Sequence, residues 1–180
     1  VDDRLGQPSK IESLFARHQD WSNDEAVYQQ LIEDPDFESL DVSWVPELKQ
    51  FDHLNLMTNA QVAAELAELS KVSGARRVEK QLTLPVVRFQ DLQKSVIAYA
   101  IKMSKKTEAD KKFGIEVLHH LAMLLTTNEH IQAQMLAVAT LKAEIFLAQK
   151  FAVEINPRLT YELIDIMKRV GFSWPGFIQY

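Results

Sequence analysis

The sequence contains no cysteine among its 180 residues. This absence excludes disulfide bonds, thiolate catalysis and cysteine-ligated zinc sites. Five glycines and six prolines are too few for a turn-rich β fold, and they leave no glycine-rich phosphate-binding loop. No stretch reaches the roughly 18 uninterrupted apolar residues of a membrane span. The richest stretch, residues 131–153, is interrupted by six charged or amide side chains.

The first residues also lack a signal-peptide pattern. The chain opens with Val1-Asp2-Asp3 rather than with a positively charged segment and an apolar run. A start without Met indicates that a preceding segment was removed, and that segment could have been a signal or an anchor. We therefore expect a soluble domain and leave its localisation open, cytoplasmic or extracytoplasmic.

Charge is sorted along the chain. Residues 1–60 hold thirteen Asp or Glu against four Lys or Arg, a net charge of −9. Residues 71–112 hold eleven Lys or Arg against four acidic residues, a net charge of +7. We expect either that the acidic segment packs on the basic one or that each faces a different partner. The overall charge of −5 disfavours general nucleic-acid binding, and the basic segment lacks the interleaved aromatics of a single-strand binder.

The hydrophobic pattern is helical. Apolar residues from Phe89 to Met103 recur at three- and four-residue spacings, which is typical of an amphipathic helix. Thr107 with Asp110 predicts a capping box that opens the next helix. The segment after Asn128 is apolar nearly all round, which predicts a helix buried on most faces.

The first sixty residues predict shorter helices. Ser22 with Glu25 predicts a capping box, and Pro35 should end that helix. Ser43 is the expected cap of a turn in which Pro46 fits only near the start. We therefore predict an all-α fold in one compact domain. Residues 58–180 form an antiparallel bundle of about four long helices with an aromatic tail, and residues 1–57 form an acidic arm packed on it.

One group of residues has metal-ligand chemistry. Glu116 precedes His119 and His120 by three and four positions, so these side chains can share one helix face. Glu-x-x-His on a bundle helix is half of a di-metal carboxylate motif, and Glu144 on the next helix could complete a divalent zinc or iron site. The structural alternative is a polar strip on an amphipathic helix, which we favour because one half-motif is common by chance.

A second candidate site is cationic. Arg76, Arg77 and Lys80 follow the small residues Ser73 and Gly74, an arrangement that can bind an anion or nucleic acid. The alternative, which we favour, is a solvated turn that pairs with the acidic arm.

Exposed aromatics would mark a protein-binding surface. Trp44, Phe51 and His53 lie in one short polar segment, and Trp174, Phe177 and Tyr180 lie in the tail. For the tail, the alternative, which we favour, is that its aromatics fold back to close the end of the core. His53 also adjoins Asp52, but adjacent side chains on a helix point about 100° apart, so we do not expect Asp52 to orient it for general base chemistry.

The leading hypothesis is a non-catalytic helical interaction or scaffold domain with a protein partner and no cofactor. A metal-binding bundle enzyme is the first alternative, and an anion- or nucleic-acid-binding domain is the second. In the leading hypothesis the apolar residues of the arm dock on the bundle, and we expect high salt to weaken that docking without melting the bundle.

Overall fold

The computed structural model describes residues 9–54, 89–127 and 131–155, and ten single positions (64, 67, 68, 71, 73, 74, 158, 161, 165 and 168). Over the three described ranges, every regular element is helical, so the predicted all-α class is confirmed. Four short helices come first: α1 (Lys10–Arg17), α2 (Glu25–Glu33), α3 (Pro35–Glu38) and a 3-10 helix (Val45–Gln50). Three long helices follow: α4 (Phe89–Ser104), α5 (Glu108–Thr126) and α6 (Ile131–Phe151). The predicted bundle begins at residue 58, and most of residues 58–88 lie outside the described part of the chain.

Helix α5 begins where its capping signal predicts. The hydroxyl of Thr107 accepts a hydrogen bond from the backbone N–H of Asp110, and the Asp110 carboxylate accepts one from the Thr107 backbone N–H, both at 3.2 Å. This reciprocal capping box satisfies two backbone donors that α5 would otherwise leave without partners. In α4, Val96, Tyr99 and Met103 of the predicted apolar stripe are buried.

One cap differs from the prediction. The N-cap of α2 is Asp24 rather than Ser22, and its Oδ1 accepts a hydrogen bond from the Ala26 backbone N–H at 2.8 Å. A carboxylate at this position also interacts favourably with the positive end of the helix dipole. Helix α2 ends at Glu33, before Pro35, as predicted, and Pro35 then occupies the first turn of α3.

The 3-10 helix also departs in part from expectation. Pro46 lies in its first turn, as its missing N–H requires. Ser43 does not cap it; its hydroxyl and its backbone N–H both donate to the carboxylate of Asp41, at 2.7 and 3.1 Å. Ser43, the expected cap, therefore forms a local turn with Asp41 instead of capping the helix.

The larger of two hydrophobic clusters in the described residues joins the acidic N-terminal helices to the long helices. The N-terminal side contributes side chains that are fully buried, namely Leu14, Leu31, Phe37 and Val45. They share this core with buried residues of all three long helices, namely Val96, Ile101, Val117, Leu118, Leu121, Ala137 and Leu147. Removing residues 9–50 would therefore expose apolar surface on α4, α5 and α6.

Charged contacts surround this core. Lys105 pairs with Glu38 at 2.6 Å, Lys49 pairs with Glu116 at 3.3 Å, and Lys150 of α6 pairs with Glu25 of α2. Lys105 and Lys150 therefore face the acidic segment, whereas in the Lys49–Glu116 pair the N-terminal segment supplies the cation and α5 the carboxylate. Each pair has at least one exposed side chain, so these contacts orient the segment more than they stabilise it.

Helix α6 is apolar over most of its surface. Three of its alanines, Ala133, Ala137 and Ala148, have no exposed surface and allow neighbouring helices to approach closely. Among the residues that the structure describes, neither this helix nor any other combines the length and the apolarity that crossing a membrane requires.

Candidate functional site

The predicted metal residues on α5 face two different neighbouring elements. Glu116 and His120 are four positions apart, on one face, and that face lies against the 3-10 helix. The Glu116 carboxylate pairs with Lys49. The Nε2 of His120 lies 3.1 Å from the Leu48 carbonyl oxygen and 2.9 Å from that of Phe51.

Because both of these partners are carbonyl acceptors, the Nε2 of His120 must carry the proton and donate. A ring nitrogen that donates a hydrogen bond has no lone pair available for a metal ion. The Nδ1 of His120 is then the acceptor nitrogen in the neutral ring. In this geometry His120 fixes the end of the 3-10 helix to α5.

His119 turns toward α6 instead. Its Nδ1 lies 3.1 Å from the Oε2 of Glu144, whose side chain is 5% exposed. One residue along a helix is a rotation of about 100°, so His119 and His120 cannot both face the same neighbour. Helix α5 lies between the 3-10 helix and α6. Two of the four predicted ligands, Glu116 and His120, therefore contact the 3-10 helix, and the other two, His119 and Glu144, contact each other between α5 and α6.

The predicted metal cluster is not assembled by this arrangement. Over the described part of the chain, which includes all four residues, no group of three or more His, Asp or Glu side chains is placed to hold a metal ion. What the structure brings together is the His119–Glu144 pair, which links α5 to α6, and the Glu116–Lys49 and His120 contacts, which link α5 to the N-terminal segment.

The second candidate is the 3-10 segment, by which we mean residues 44–54. Trp44 is 37% exposed and Phe51 is 55% exposed, although both are large apolar side chains. The backbone between them is held by His120 and by the Leu54 N–H, which donates to the Thr127 hydroxyl at 3.4 Å. Two aromatic side chains are therefore presented from a backbone that is tied to α5 at several points.

His53 extends this exposed surface. Its Nδ1 contacts the Oδ1 of Asp52, and this hydrogen bond is the main cause of the lowered pKa of the Asp52 carboxyl. Our expectation that Asp52 would not orient His53 was wrong, because residues 52 and 53 form a bend rather than a helix. Both side chains are exposed, however, and neither lines the groove that the structure shows between α1, α4 and α6.

A third feature was missed by the sequence reasoning. A groove of about 720 Å³ lies between α1 with its following turn, α4 and α6. Three aromatic side chains line its wall, with Trp21 edge-on to Phe15 at 6.1 Å and to Phe146 at 5.7 Å between ring centroids. Its residues are far apart in the sequence, so no local motif could have indicated it.

The remaining predicted residues lie outside the described part of the chain. These are the anion-binding residues Arg76, Arg77 and Lys80 and the tail residues Trp174, Phe177 and Tyr180. Their roles stay predictions. Next to the first group, Gly74 has a φ of 62°, the left-handed conformation in which glycine commonly ends a helix.

Comparison with protein-family models, with curated proteins and with solved structures found no match for this sequence.

Proposed function

We propose that this chain is a non-catalytic helical interaction domain that binds a protein partner through Trp44 and Phe51 of the 3-10 segment. The observation that carries the proposal is the exposure of these two large aromatic side chains on a backbone tied to α5. The scaffold in this proposal is an antiparallel bundle of about four long helices, with the described α4, α5 and α6 as three of them.

Aromatic side chains are the residues that most often dominate binding energy at protein interfaces. They supply a large apolar contact area with few rotatable bonds, so little conformational entropy is lost when they are buried by a partner. While these side chains are exposed to water, their apolar surface contributes little to the stability of the fold. Their exposure is therefore better explained by a partner than by folding.

The anchoring of the segment supports the same proposal. A flexible loop would have to be ordered on binding, and that ordering weakens affinity. Here the imidazole of His120 holds the carbonyls of Leu48 and Phe51 before any partner arrives. The buried side chains of Val45 and Leu48 fix the opposite face of the 3-10 helix in the core.

The chemistry of the described residues offers less support for an enzyme. His119 contacts a buried carboxylate, His120 contacts two carbonyls, and His53 is solvent-exposed beside Asp52. The only other described histidine, His18, contacts Asp34, and both side chains are largely buried between the short helices. These four contacts explain the histidines as structural or exposed groups rather than as a reactive constellation.

The test is site-specific photo-crosslinking. A benzoylphenylalanine is placed at position 51 of the full chain, and crosslinked products are identified by mass spectrometry. The matched control carries the same probe at Met135, which is 42% exposed on α6. We expect a product specific to position 51, and we expect Trp44→Ser, a change outside the probe position, to reduce its yield strongly.

Two outcomes would overturn the proposal. One is identical crosslinked products from positions 51 and 135, which indicates non-specific capture. The other is a loss of more than about 2 kcal/mol in the free energy of unfolding of Phe51→Ser, because a side chain that is 55% exposed contributes little to the core. A crosslink between two copies of this chain would identify the partner as a second copy.

A further inference from the structure

The groove between α1, α4 and α6 carries a second binding function, independent of the 3-10 segment. We propose that it binds a small amphipathic carboxylate, with the apolar body against Phe15, Trp21 and Phe146 and the carboxylate between Lys94 and Lys142. The carboxylate is that of a free small molecule, and the site is distinct from the protein-binding surface proposed above.

The volume of the groove fits a small molecule. At about 720 Å³, it falls within the range of roughly 300–1,000 Å³ typical of ligand pockets. Helix α1, which forms one side, has eight residues and is therefore only about 12 Å long. That length matches a chain of about ten carbons better than it matches a docked peptide helix.

The space exists because small side chains line the groove. Ala16 of α1 and Ala139 and Ala143 of α6 lie at positions where larger residues would fill it. The groove is also lined by three aromatic rings. One of them, Trp21, is only half-buried although it contacts the other two. An apolar ligand would complete the burial of this indole.

The charge at the groove specifies the polar end of the ligand. Lys94 of α4 and Lys142 of α6 both line the groove, and within the part of the chain that the structure describes neither has an acidic side chain within ion-pair distance. By contrast, Lys105 and Lys150 each pair with a carboxylate of the short helices. Two uncompensated ammonium groups at an apolar groove match one carboxylate.

The acidic residue of the groove sets the orientation. Glu12 of α1 also lines the groove and would repel a carboxylate placed near it. The ligand therefore lies with its charge toward α4 and α6 and with its apolar chain toward α1 and Trp21.

The experiment uses decanoate as the probe and 1-decanol as its uncharged analogue. Binding is measured by calorimetry and by the emission of Trp21 in the full chain carrying Trp44→Phe and Trp174→Phe. We expect one saturable decanoate site with a dissociation constant below about 1 mM, a change in Trp21 emission, and affinity for decanol at least about tenfold weaker.

Matched variants locate the site. Lys94→Met/Lys142→Met keeps the apolar part of both side chains and should weaken decanoate about tenfold or more, while Lys112→Met, an exposed lysine of α5 outside the groove, should leave affinity unchanged. Ala139→Leu fills the groove from an exposed position and should abolish the change in Trp21 emission.

Three results would each overturn this proposal. The first is no saturable decanoate binding. The second is equal affinity for decanoate and decanol, or equal affinity in the lysine double variant and in Lys112→Met. The third is a Trp21 response to an acidic amphipathic peptide but not to decanoate, which would make the groove a peptide-docking surface instead.

Discussion

The imidazole of His120 donates from its Nε2 to the carbonyl oxygen of Phe51 at 2.9 Å, and this contact joins α5 to the segment that carries the exposed aromatics. The same nitrogen lies 3.1 Å from the Leu48 carbonyl. The Phe51 carbonyl belongs to the C-cap of the 3-10 helix, and the Leu48 carbonyl, in its last turn, also accepts a hydrogen bond from the Phe51 backbone N–H at 3.1 Å. One side chain of α5 therefore ends a helix that is distant in the sequence.

Replacing His120 should loosen the 3-10 segment without disrupting the fold. We expect His120→Ala to lower the free energy of unfolding by about 1 kcal/mol, because the Phe51 carbonyl loses its side-chain donor and the Leu48 carbonyl keeps only the Phe51 N–H, although both can bond water. Amide hydrogen exchange should accelerate in residues 47–54. His53→Ala is the control, since His53 is exposed and should change neither quantity. An unchanged exchange rate in His120→Ala would show that the contact does not hold the segment.

The helices of this fold were predictable, whereas the pairing of the site residues was not. The Thr107–Asp110 capping box and the break before Pro35 are signals between neighbouring residues, and a sequence displays them directly. The direction of His119 and His120 depends instead on which element lies on each side of α5. That information is tertiary, and a spacing of three or four residues leaves it open.

The same limit explains the other differences from prediction. Asp24 and Ser22 are both good N-cap residues, and their choice depends on how the chain enters α2. The contact between Asp52 and His53 was missed because a helix was assumed where the chain bends. The groove at Trp21 joins three segments that are distant in the sequence, so only their packing reveals it.

Asp34 should make the protein sensitive to acid. Its carboxylate accepts hydrogen bonds from His18 at 3.1 Å and from Arg17 at 2.9 Å. Chiefly because of the His18 contact, the pKa of Asp34 is lowered from 3.8 to about 2. A carboxyl whose pKa is lower in the folded state contributes stability above its unfolded pKa, and that contribution is lost as the pH falls through the folded pKa.

The comparison is with Asp34→Asn, which keeps an oxygen to cap Asp36 but loses the charge. We expect the parent protein to be more stable by about 1 kcal/mol at neutral pH, because one partner is exposed and solvent screens the pair. The difference should shrink between about pH 4 and pH 2. Urea unfolding across this range measures it, and a difference that stays constant down to pH 2 would contradict the assignment.

Phe37 rather than the surface charges should hold the N-terminal helices on the bundle. Its ring is fully buried, and the ammonium groups of Lys102 and Lys105 lie 5.8 and 5.9 Å from its centroid. Phe37→Ala should cost about 3–5 kcal/mol through the lost burial and the cavity left behind. The exposed Lys105–Glu38 pair should contribute less than about 1 kcal/mol.

Because the burial of Phe37 holds the N-terminal helices on the bundle, we now expect high salt to weaken this docking only slightly. High salt screens exposed ion pairs but leaves apolar burial intact, so about 1 M NaCl should release the short helices only slightly. Limited proteolysis in the turn between α1 and α2 measures this release. Equal cleavage rates at low and high salt, with faster cleavage in Phe37→Ala, are the expected results. Strong acceleration of cleavage by salt in the parent protein would instead mean that ion pairs hold the short helices on the bundle.

A buried hydrogen bond links α4 to α6. The Nε2 of Gln93 donates to the hydroxyl of Thr140 at 3.1 Å, and their side chains are buried. Thr140→Val should lower the free energy of unfolding by about 1–3 kcal/mol, because a buried amide donor loses its acceptor. Gln93→Leu/Thr140→Val should recover much of that loss. A double-mutant cycle measures the coupling, and additive effects would show that the bond is not formed in solution.

Gly114 sets how closely α4 and α5 can approach. A Cβ at this position would lie 3.1 Å from the Ala100 Cα and 3.1 Å from the Met103 Cβ, closer than ordinary van der Waals contact. Gly114→Ala should gain about 1 kcal/mol in helix propensity, but the backbone of α4 cannot move aside as a flexible side chain would. Overpacking costs about 1–3 kcal/mol, so we expect a net loss of about 1 kcal/mol.

The propensity contribution can be measured separately in this protein. Ala139 is exposed in the middle of α6, and Ala139→Gly should cost about 1 kcal/mol from propensity alone. If packing at Gly114 is as close as the distances indicate, both substitutions lower the midpoint of urea unfolding, although one adds a methyl group and the other removes one. Stabilisation by Gly114→Ala equal to the loss in Ala139→Gly would instead mean that α4 and α5 have room between them.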